Sequence, residues 1–193
     1  GKFTLPSKIK SKRAVIYEGL HPFYLSEMKK SFDISFFIQP DENLRKEWKI
    51  NRDTKKRGYS KEKILKQLKE REQDSLKYIQ SQAKSADVLI SFQNSITNNE
   101  KLELHLKINN NLDIEILLFE LNKEIDYDYQ IDQNHHHLVF YKGISKEKVE
   151  QIAYSINPEI DELLSPTPKW ANDFEGLQQL IQIACVQTKL TSE

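Results

Sequence analysis

The sequence predicts an α/β domain with a mixed, partly parallel sheet, followed by a C-terminal extension of strands and helices. Short apolar runs alternate with helical patterns through the first half of the chain, an order typical of strand–helix–strand units. A strict apolar alternation begins at Leu102, and apolar residues recur at helical spacing from Leu177 to Cys185. With 193 residues, 38% of them hydrophobic, the chain can bury a substantial core.

Each element of the first half follows from its own local pattern. Apolar and aromatic runs predict buried strands at 13–17, 34–38 and 87–92. A first helix is predicted at 22–30. A second begins after Asp41 as its N-cap and runs to Arg57, and a third begins after Ser60 and runs to about Ala83.

The second half of the sequence predicts a different order of elements. A polar loop at 95–101 precedes a half-buried strand at 102–108, whose leucines and Ile108 should face inward. The run 114–121 fits a helix or a strand, and its periodicity does not decide between them. Strands at 127–131 and 137–141 should flank a turn at 132–134, and helices should cover 145–156 and the end of 170–190.

Two smaller features could carry chemistry. His135, His136 and His137 invite a metal site, but alternate residues of a strand face opposite sides. At most His135 and His137 could share an ion, with Asp132 or Asp128 as a remote third ligand, and we interpret the run as the flank of a β-turn. The single cysteine, Cys185, lies in an apolar helical pattern and should be a core thiol.

Composition limits the partners. Twenty-nine basic and 29 acidic residues give a formal net charge of zero, which argues against a general nucleic-acid or acidic-membrane surface. No stretch has the apolar length of a membrane span and no signal peptide is visible, so we expect a cytoplasmic protein without membrane or nucleic-acid partners.

The run from Asn51 to Tyr59 is the most informative motif. Two arginines and an aspartate, Arg52, Asp53 and Arg57, crowd the end of the second predicted helix, just before Gly58 and Tyr59. Forked guanidinium donors at a mobile helix end suit the clamping of phosphate oxygens during transfer. A solvated charged helix with i,i+4 ion pairs is the simpler alternative.

A second motif decides between these readings. Tyr17-Glu18-Gly19-Leu20-His21 follows an apolar run, which would place a carboxylate at the end of a buried strand. Together with the arginine motif, with Tyr78-Ile79 and with Ala86-Asp87-Val88, it closely resembles the phosphoribulokinase/uridine kinase family from Phe3 to about Phe92. The segments Gly19-Leu20-His21 and Gly58-Tyr59 resemble sequences of the phosphoribulokinase branch.

The resemblance implies a P-loop-kinase-like three-layer fold and ATP-dependent phosphoryl transfer with Mg²⁺. By the same resemblance, Glu18 would hold Mg²⁺ or orient the attacking hydroxyl, and Arg52 and Arg57 would contact the phosphates. Asp53 would pair with these arginines or hold the helix end. The remaining positions implied for substrate or phosphate binding are His21, Lys49, Tyr59 and Arg71.

One family motif is missing. The phosphate-binding loop G-x-x-x-x-G-K-[ST] does not occur, and none of the five glycines is spaced for it. We therefore expect residues 1–93 to be the C-terminal part of the kinase core and 94–193 to be an extension. The P-loop half would lie elsewhere, the acceptor would be a sugar phosphate of the ribulose 5-phosphate type, and a homodimer is possible. The alternatives are a uridine or nucleoside kinase and a non-catalytic binding or assembly domain.

Overall fold

A computed structural model describes Leu5, Lys8, Lys10 and residues 15–95, 102–163 and 168–190. The described part contains one five-stranded sheet; one short helix precedes it, and the other helices connect or follow its strands. The strands are β1 Phe36–Ile38, β2 Val88–Asn94, β3 Leu102–Asn109, β4 Tyr127–Ile131 and β5 His135–Phe140. The helices are α1 Ser26–Lys29, α2 Glu42–Arg57, α3 Lys61–Glu70, α4 Glu72–Asp74, α5 Glu115–Leu121, α6 Lys146–Ile156, α7 Ile160–Leu163 and α8 Asp173–Leu190. A π-helical turn, Ser75–Ile79, and a 3₁₀ helix, Gln80–Ser85, continue from α4.

The sheet is mixed, as predicted. Its strand order is β1-β2-β3-β5-β4, with β1 parallel to β2 and the other three pairings antiparallel. Asp87 fixes the parallel pair, because its Oδ2 accepts hydrogen bonds from the Ser35 backbone N–H at 2.8 Å and from the Ser35 hydroxyl at 2.6 Å. The long connection through α2 and α3 is what two parallel neighbours require.

The core follows the alternation of the strands and the stripes of the C-terminal helices. Leu104, Leu106 and Ile108 of β3 are buried as predicted, whereas Leu102 at the start of the strand is only half-buried. Strands β2 and β5 also bury alternate residues. Helices α5, α6 and α8 contact one another and close the same hydrophobic cluster. Cys185 of α8 is a fully buried thiol whose pKa is raised by burial to about 12, which agrees with its interpretation as a core residue.

Several predicted elements match the structure closely. Helix α2 begins after Asp41 and ends at Arg57, and α6 begins after Ser145, whose hydroxyl accepts from the Lys148 N–H. The undecided run 114–121 is helix α5, and the strands around the 132–134 turn form the β4–β5 hairpin. Strand β2 ends at Asn94 and pairs with β3, so one sheet joins the two halves of the chain. The domain boundary proposed at 93/94 stays a prediction.

Other predicted elements were wrong. In place of the buried strand at 13–17, residues 15–17 are irregular, and Ile16 is 93% exposed, because no described strand lies beside them to satisfy their backbone; residues 13 and 14 lie outside the described range. The helix at 22–30 is reduced to α1, since residues 21–24 form a turn. The helix at 60–83 is interrupted at Arg71, where ψ is 3°, and continues as α4 and the two irregular turns.

Within the described residues, no helix combines the length and the apolar character that crossing a membrane requires.

Candidate phosphate-binding site

A cavity of about 1040 Å³ lies where α2, the end of α3, the π-helical turn and the loop after Gly19 meet. Four residues singled out from the sequence line it, although they are far apart along the chain: His21, Lys49, Arg52 and Arg71. The remaining wall is mixed. Its aromatic and aliphatic residues are Leu20, Tyr24, Trp48, Leu68, Tyr78 and Ile79, and its further polar or charged residues are Arg45, Gln67, Asp74 and Ser75. The cavity therefore combines cations with apolar surface, as ligand sites commonly do.

Helix α2 supplies most of the charge through its periodicity. Arg45, Lys49 and Arg52 follow one another at four- and three-residue spacing, which places them on one face of the helix. Both Lys49 and Arg52 line the cavity, and their side chains are 23% and 51% exposed, respectively. One helix face thus presents a row of cations to the cavity.

Asp53 lies beneath this row and is nearly inaccessible, with its side chain only 1% exposed. Its Oδ1 accepts a 2.9 Å hydrogen bond from Arg52 Nε and lies 3.4 Å from Arg57 Nη1, while Oδ2 lies 3.4 Å from Lys49 Nζ. The hydrogen bond from Arg52 is the main cause that lowers the pKa of Asp53, so the carboxylate is ionised at neutral pH.

The charge balance around Asp53 is uneven. Three cations, from Lys49, Arg52 and Arg57, share one carboxylate, which leaves two positive charges in excess. Asp53 Oδ2 accepts no hydrogen bond within the described residues, and Lys49 approaches it only as an ion pair. An anion placed against these cations would compensate the excess charge.

Arg45 behaves differently from its neighbours on α2. It forms a two-pronged pair with Glu42, with distances of 2.6 Å from Nε to Oε2 and 2.7 Å from Nη2 to Oε1. The same hydrogen bonds lower the pKa of Glu42 and raise that of Arg45. Since Glu42 already compensates its charge, Arg45 forms part of the cavity wall and is not available as a hydrogen-bond donor to an anion.

The end of α2 is fixed by glycine. Gly58 has a φ of 67° in the left-handed region, and the Tyr59 N–H donates to the Asp53 carbonyl at 3.2 Å, which closes the helix as predicted. Arg57 is 55% exposed and reaches Asp53 but does not line the cavity. Tyr59 lies outside it as well, with its ring under the Lys63 ammonium group at 4.1 Å.

His21 reaches the cavity from the opposite side. Its Nδ1 lies 3.3 Å from the Tyr78 carbonyl oxygen in the π-helical turn, and the rings of Tyr24 and Tyr78 meet edge to face at 5.3 Å. Tyr24 and Trp48 were not singled out from the sequence, and Tyr78 was noted only as part of a motif that carries the family resemblance. Trp48 lies four residues before Arg52 on α2, so helical spacing alone could have found it.

Glu18 lies in an exposed, irregular segment and is not among the residues that line the cavity. Within the described part of the chain, no three His, Cys, Asp or Glu side chains converge on a possible metal position. A single carboxylate is nevertheless compatible with Mg²⁺, which keeps several waters and takes substrate phosphates as ligands. The magnesium contact that the resemblance implies for Glu18 stays a prediction.

The histidine run also differs from a metal centre. His137 Nε2 lies 2.7 Å from Asp132 Oδ2 and His135 Nδ1 lies 3.7 Å from Oδ1, so one carboxylate pairs with both rings. Asp132 Oδ1 also accepts the backbone N–H groups of Asn134 and His135, which closes the β4–β5 turn. This arrangement agrees with the flank of a β-turn.

Comparisons with known proteins match the half of the chain that carries the cavity. The sequence model of the phosphoribulokinase / uridine kinase family matches residues 3–99. Phosphoribulokinase of Synechocystis sp. is 35% identical over 85 residues, 44% of this chain and 26% of that protein. The chloroplastic phosphoribulokinase of Chlamydomonas reinhardtii is 36% identical over 90 residues, 47% of this chain and 24% of that protein.

The chloroplastic phosphoribulokinase of Spinacia oleracea is 35% identical over 85 residues, 44% of this chain and 21% of that protein. The chain thus spans about a quarter of the length of the curated relatives it matches. The matched residues include α2, Asp53 with its three cations, and every residue that lines the cavity. With half of its residues accounted for by the family's sequence model, the chain belongs to the phosphoribulokinase/uridine kinase family.

Proposed function

We propose that this chain is part of an ATP-dependent kinase that transfers the γ-phosphate to a hydroxyl of a sugar phosphate of the ribulose 5-phosphate type. Family membership supports a kinase, and the cavity supports the acceptor class. The observation that carries the proposal is the excess of two positive charges around Asp53. A sugar phosphate brings a dianion to compensate them, whereas uridine is neutral.

Four of the cavity residues have a role within this proposal. Lys49, Arg52 and Arg71 hold the phosphate of the acceptor, because charged donors form the strongest hydrogen bonds to phosphate oxygens. His21 approaches from the other wall and orients a sugar hydroxyl. Positioning of this kind supplies much of the catalysis in phosphoryl transfer, since the protein itself performs little covalent chemistry.

The predicted residues outside the cavity act at the transferred phosphate. Arg57 stabilises the charge of that phosphate from the end of α2, and Tyr59 follows closely in the chain. Glu18 would provide a carboxylate for holding Mg²⁺, which would supply positive charge near the ATP phosphates. The phosphate-binding loop that cradles ATP comes from a polypeptide segment outside these 193 residues, and ATP binding depends on that segment.

A binding experiment tests the acceptor class with the chain as it is. Calorimetric titration with ribulose 5-phosphate, ribulose and uridine should give binding of the phosphorylated sugar only. Arg71→Ala should weaken that binding by about 10-fold or more, because it removes a charged donor. Lys66→Ala is a matched control, since Lys66 lies on α3 with a side chain 79% exposed and outside the cavity.

A turnover experiment tests catalysis separately. In a protein that also carries the phosphate-binding loop, Arg57→Ala should lower kcat by about two to three orders of magnitude, as expected for a group that stabilises developing charge. Unchanged turnover would favour a binding or assembly domain. Tight binding of uridine with no response to ribulose 5-phosphate would instead favour a nucleoside kinase.

A further inference from the structure

One buried amide joins the two sides of the cavity wall. The Gln82 side chain, in the 3₁₀ helix, is only 2% exposed. Its Nε2 donates to the Leu20 carbonyl at 2.9 Å and to the Tyr78 carbonyl at 2.7 Å, and its Oε1 accepts from the Phe23 N–H at 3.1 Å. A single side chain thus bonds to the backbone on both sides of His21 and to the π-helical turn.

These bonds affect His21 and Tyr78, which contact each other in this part of the cavity wall. The Tyr78 carbonyl that accepts from Gln82 is also the group that His21 Nδ1 approaches at 3.3 Å. Leu20 and Phe23 flank His21, so fixing their backbone fixes the backbone of His21. Gln82 itself does not line the cavity, and its influence on a ligand must pass through these neighbours.

The loop has little other support within the described residues. It contains no strand or helix, and the turn closed by the Tyr24 N–H to the His21 carbonyl is long, at 3.5 Å. Phe23 provides the apolar anchor, since it is buried and its ring packs edge-on against Phe32 and Phe37. The amide of Gln82 is therefore the main polar attachment of residues 20–23.

We propose that Gln82 is a positioning residue, which holds His21 and Tyr78 in the arrangement that the acceptor requires. This inference rests on the proposed function, because it takes the cavity to be the acceptor site. The polar atoms of Gln82 are what matter. A side chain of equal length without hydrogen bonds would leave the buried Phe23 N–H without its partner and would remove a donor from two part-buried carbonyls, a costly state that a shift of the loop would relieve.

The test uses Gln82→Met, which keeps the length and volume of the side chain but removes its hydrogen bonds. Gln80→Met is the matched control, because Gln80 lies two residues away and, among the described residues, its amide bonds to Ser75 alone, in the adjacent turn. Amide hydrogen exchange at Phe23 should accelerate at least ~10-fold in Gln82→Met and remain unchanged in Gln80→Met. Urea unfolding separates this local opening from any global loss of stability.

Binding of ribulose 5-phosphate supplies the functional readout. Gln82→Met should raise its Kd by about 10-fold, the size expected for a lost buried hydrogen bond. The loss of binding in His21→Ala combined with Gln82→Met should be smaller than the sum of the two single losses, because part of the effect of Gln82 passes through His21. Additive losses would overturn the positioning role, as would an unchanged Kd in Gln82→Met.

The wild-type protein provides a measurement that needs no variant. Phe23 N–H, bonded to a buried oxygen, should exchange much more slowly than the exposed backbone of Gly19. Equal rates at the two positions would overturn the inference even if Gln82→Met does not fold. If the wild-type chain does not bind ribulose 5-phosphate although Phe23 is protected, the proposed acceptor fails and the positioning role for that acceptor fails with it, whereas an unchanged Kd in Gln82→Met refutes the positioning role alone.

Discussion

Arg52 Nε donates a 2.9 Å hydrogen bond to Oδ1 of Asp53, the next residue along α2, whose side chain is 1% exposed. Adjacent residues of a helix point in different directions, so this bond turns the guanidinium back across the helix surface. Lys49 and Arg57, one turn before and one turn after Asp53, converge on the same carboxylate. Asp53 therefore gathers on one helix the cations that the proposed function assigns to phosphates.

Replacing Asp53 by asparagine should destabilise the protein at neutral pH. The amide nearly keeps the shape of the side chain, but the cations of Lys49, Arg52 and Arg57 lose their shared counter-charge and repel one another. The midpoint of urea unfolding should fall further than in Glu42→Gln, which breaks a more exposed pair.

The pH dependence of the stability difference between the wild type and Asp53→Asn is the control for this prediction. The pKa of Asp53 is lowered in the folded protein, mainly by the hydrogen bond from Arg52, so its contribution is present above the unfolded pKa and is lost as the pH falls through the folded one. The gap between the wild type and Asp53→Asn should therefore close in acid. A gap that persists at all pH values would mean that charge is not the cause.

Replacing Gly58 by alanine should lower the free energy of unfolding by about 1 kcal/mol. Gly58 has a φ of 67°, a conformation that costs an L-residue with a Cβ about this much. Gly19→Ala is the matched control, because Gly19 is exposed and no atom lies within 4 Å of an added Cβ. Chemical denaturation of both variants checks the prediction, and equal effects would contradict it.

Replacing Gly176 by alanine should destabilise the junction of α6 and α8 by about 1–3 kcal/mol, the usual cost of overpacking. A Cβ built on Gly176 would lie 2.5 Å from the Ala171 carbonyl oxygen and 2.5 Å from Val149 Cγ2. Thermal unfolding measures the loss. Adding Val149→Ala should recover part of it by making room, whereas a simple sum of two losses would show that crowding at Val149 is not responsible.

Stability should fall between pH 7.5 and 5.5 because of the β5 histidines. Burial lowers the pKa of His135, with a further lowering by Lys107 that Asp132 opposes, and burial also lowers the pKa of His136. At pH values near the unfolded pKa, the unfolded chain then binds more protons than the folded one, so the free energy of unfolding rises with pH.

Urea unfolding across this pH range checks the dependence. Replacing both histidines by asparagine should flatten the curve above pH 5.5, whereas the single variant His105→Asn, on β3, serves as a control for general effects of removing a histidine. An unchanged slope in the double variant would assign the pH dependence to other groups. Asp132, whose pKa is lowered chiefly by backbone and His137 hydrogen bonds, contributes only in stronger acid.

Local signals in the sequence were enough to predict the best-defined elements. Asp41 and Gly58 enclose α2 because capping is a property of a few adjacent residues, and the alternation after Leu102 predicted β3 for the same reason. The strand expected at 13–17 failed because a strand needs a neighbour, and an apolar run says nothing about where that neighbour lies.

The candidate site likewise contains residues that the sequence predicted and residues that it did not. His21, Lys49, Arg52 and Arg71 were selected by resemblance and line one cavity, although their roles remain proposals. Tyr24 was missed because an aromatic residue in a sequence looks like ordinary core, and Tyr78, although part of a motif that carries the resemblance, was not assigned to the site. Gln82 gave no signal, since a glutamine in a polar helical stretch is typical of a surface. Its burial depends on contacts about sixty residues away in the chain.

A titration of the ¹⁵N-labelled chain with ribulose 5-phosphate, followed by two-dimensional NMR, tests the central claim most directly. If the cationic cavity holds the acceptor, saturable shifts should concentrate at 20–24, on α2 around Lys49 and Arg52, and at 71–79. Ribulose without its phosphate should leave these signals in place. Shifts confined to the β4–β5 hairpin and the C-terminal helices, or no shifts at millimolar sugar phosphate, would contradict the assignment of the cavity as the acceptor site.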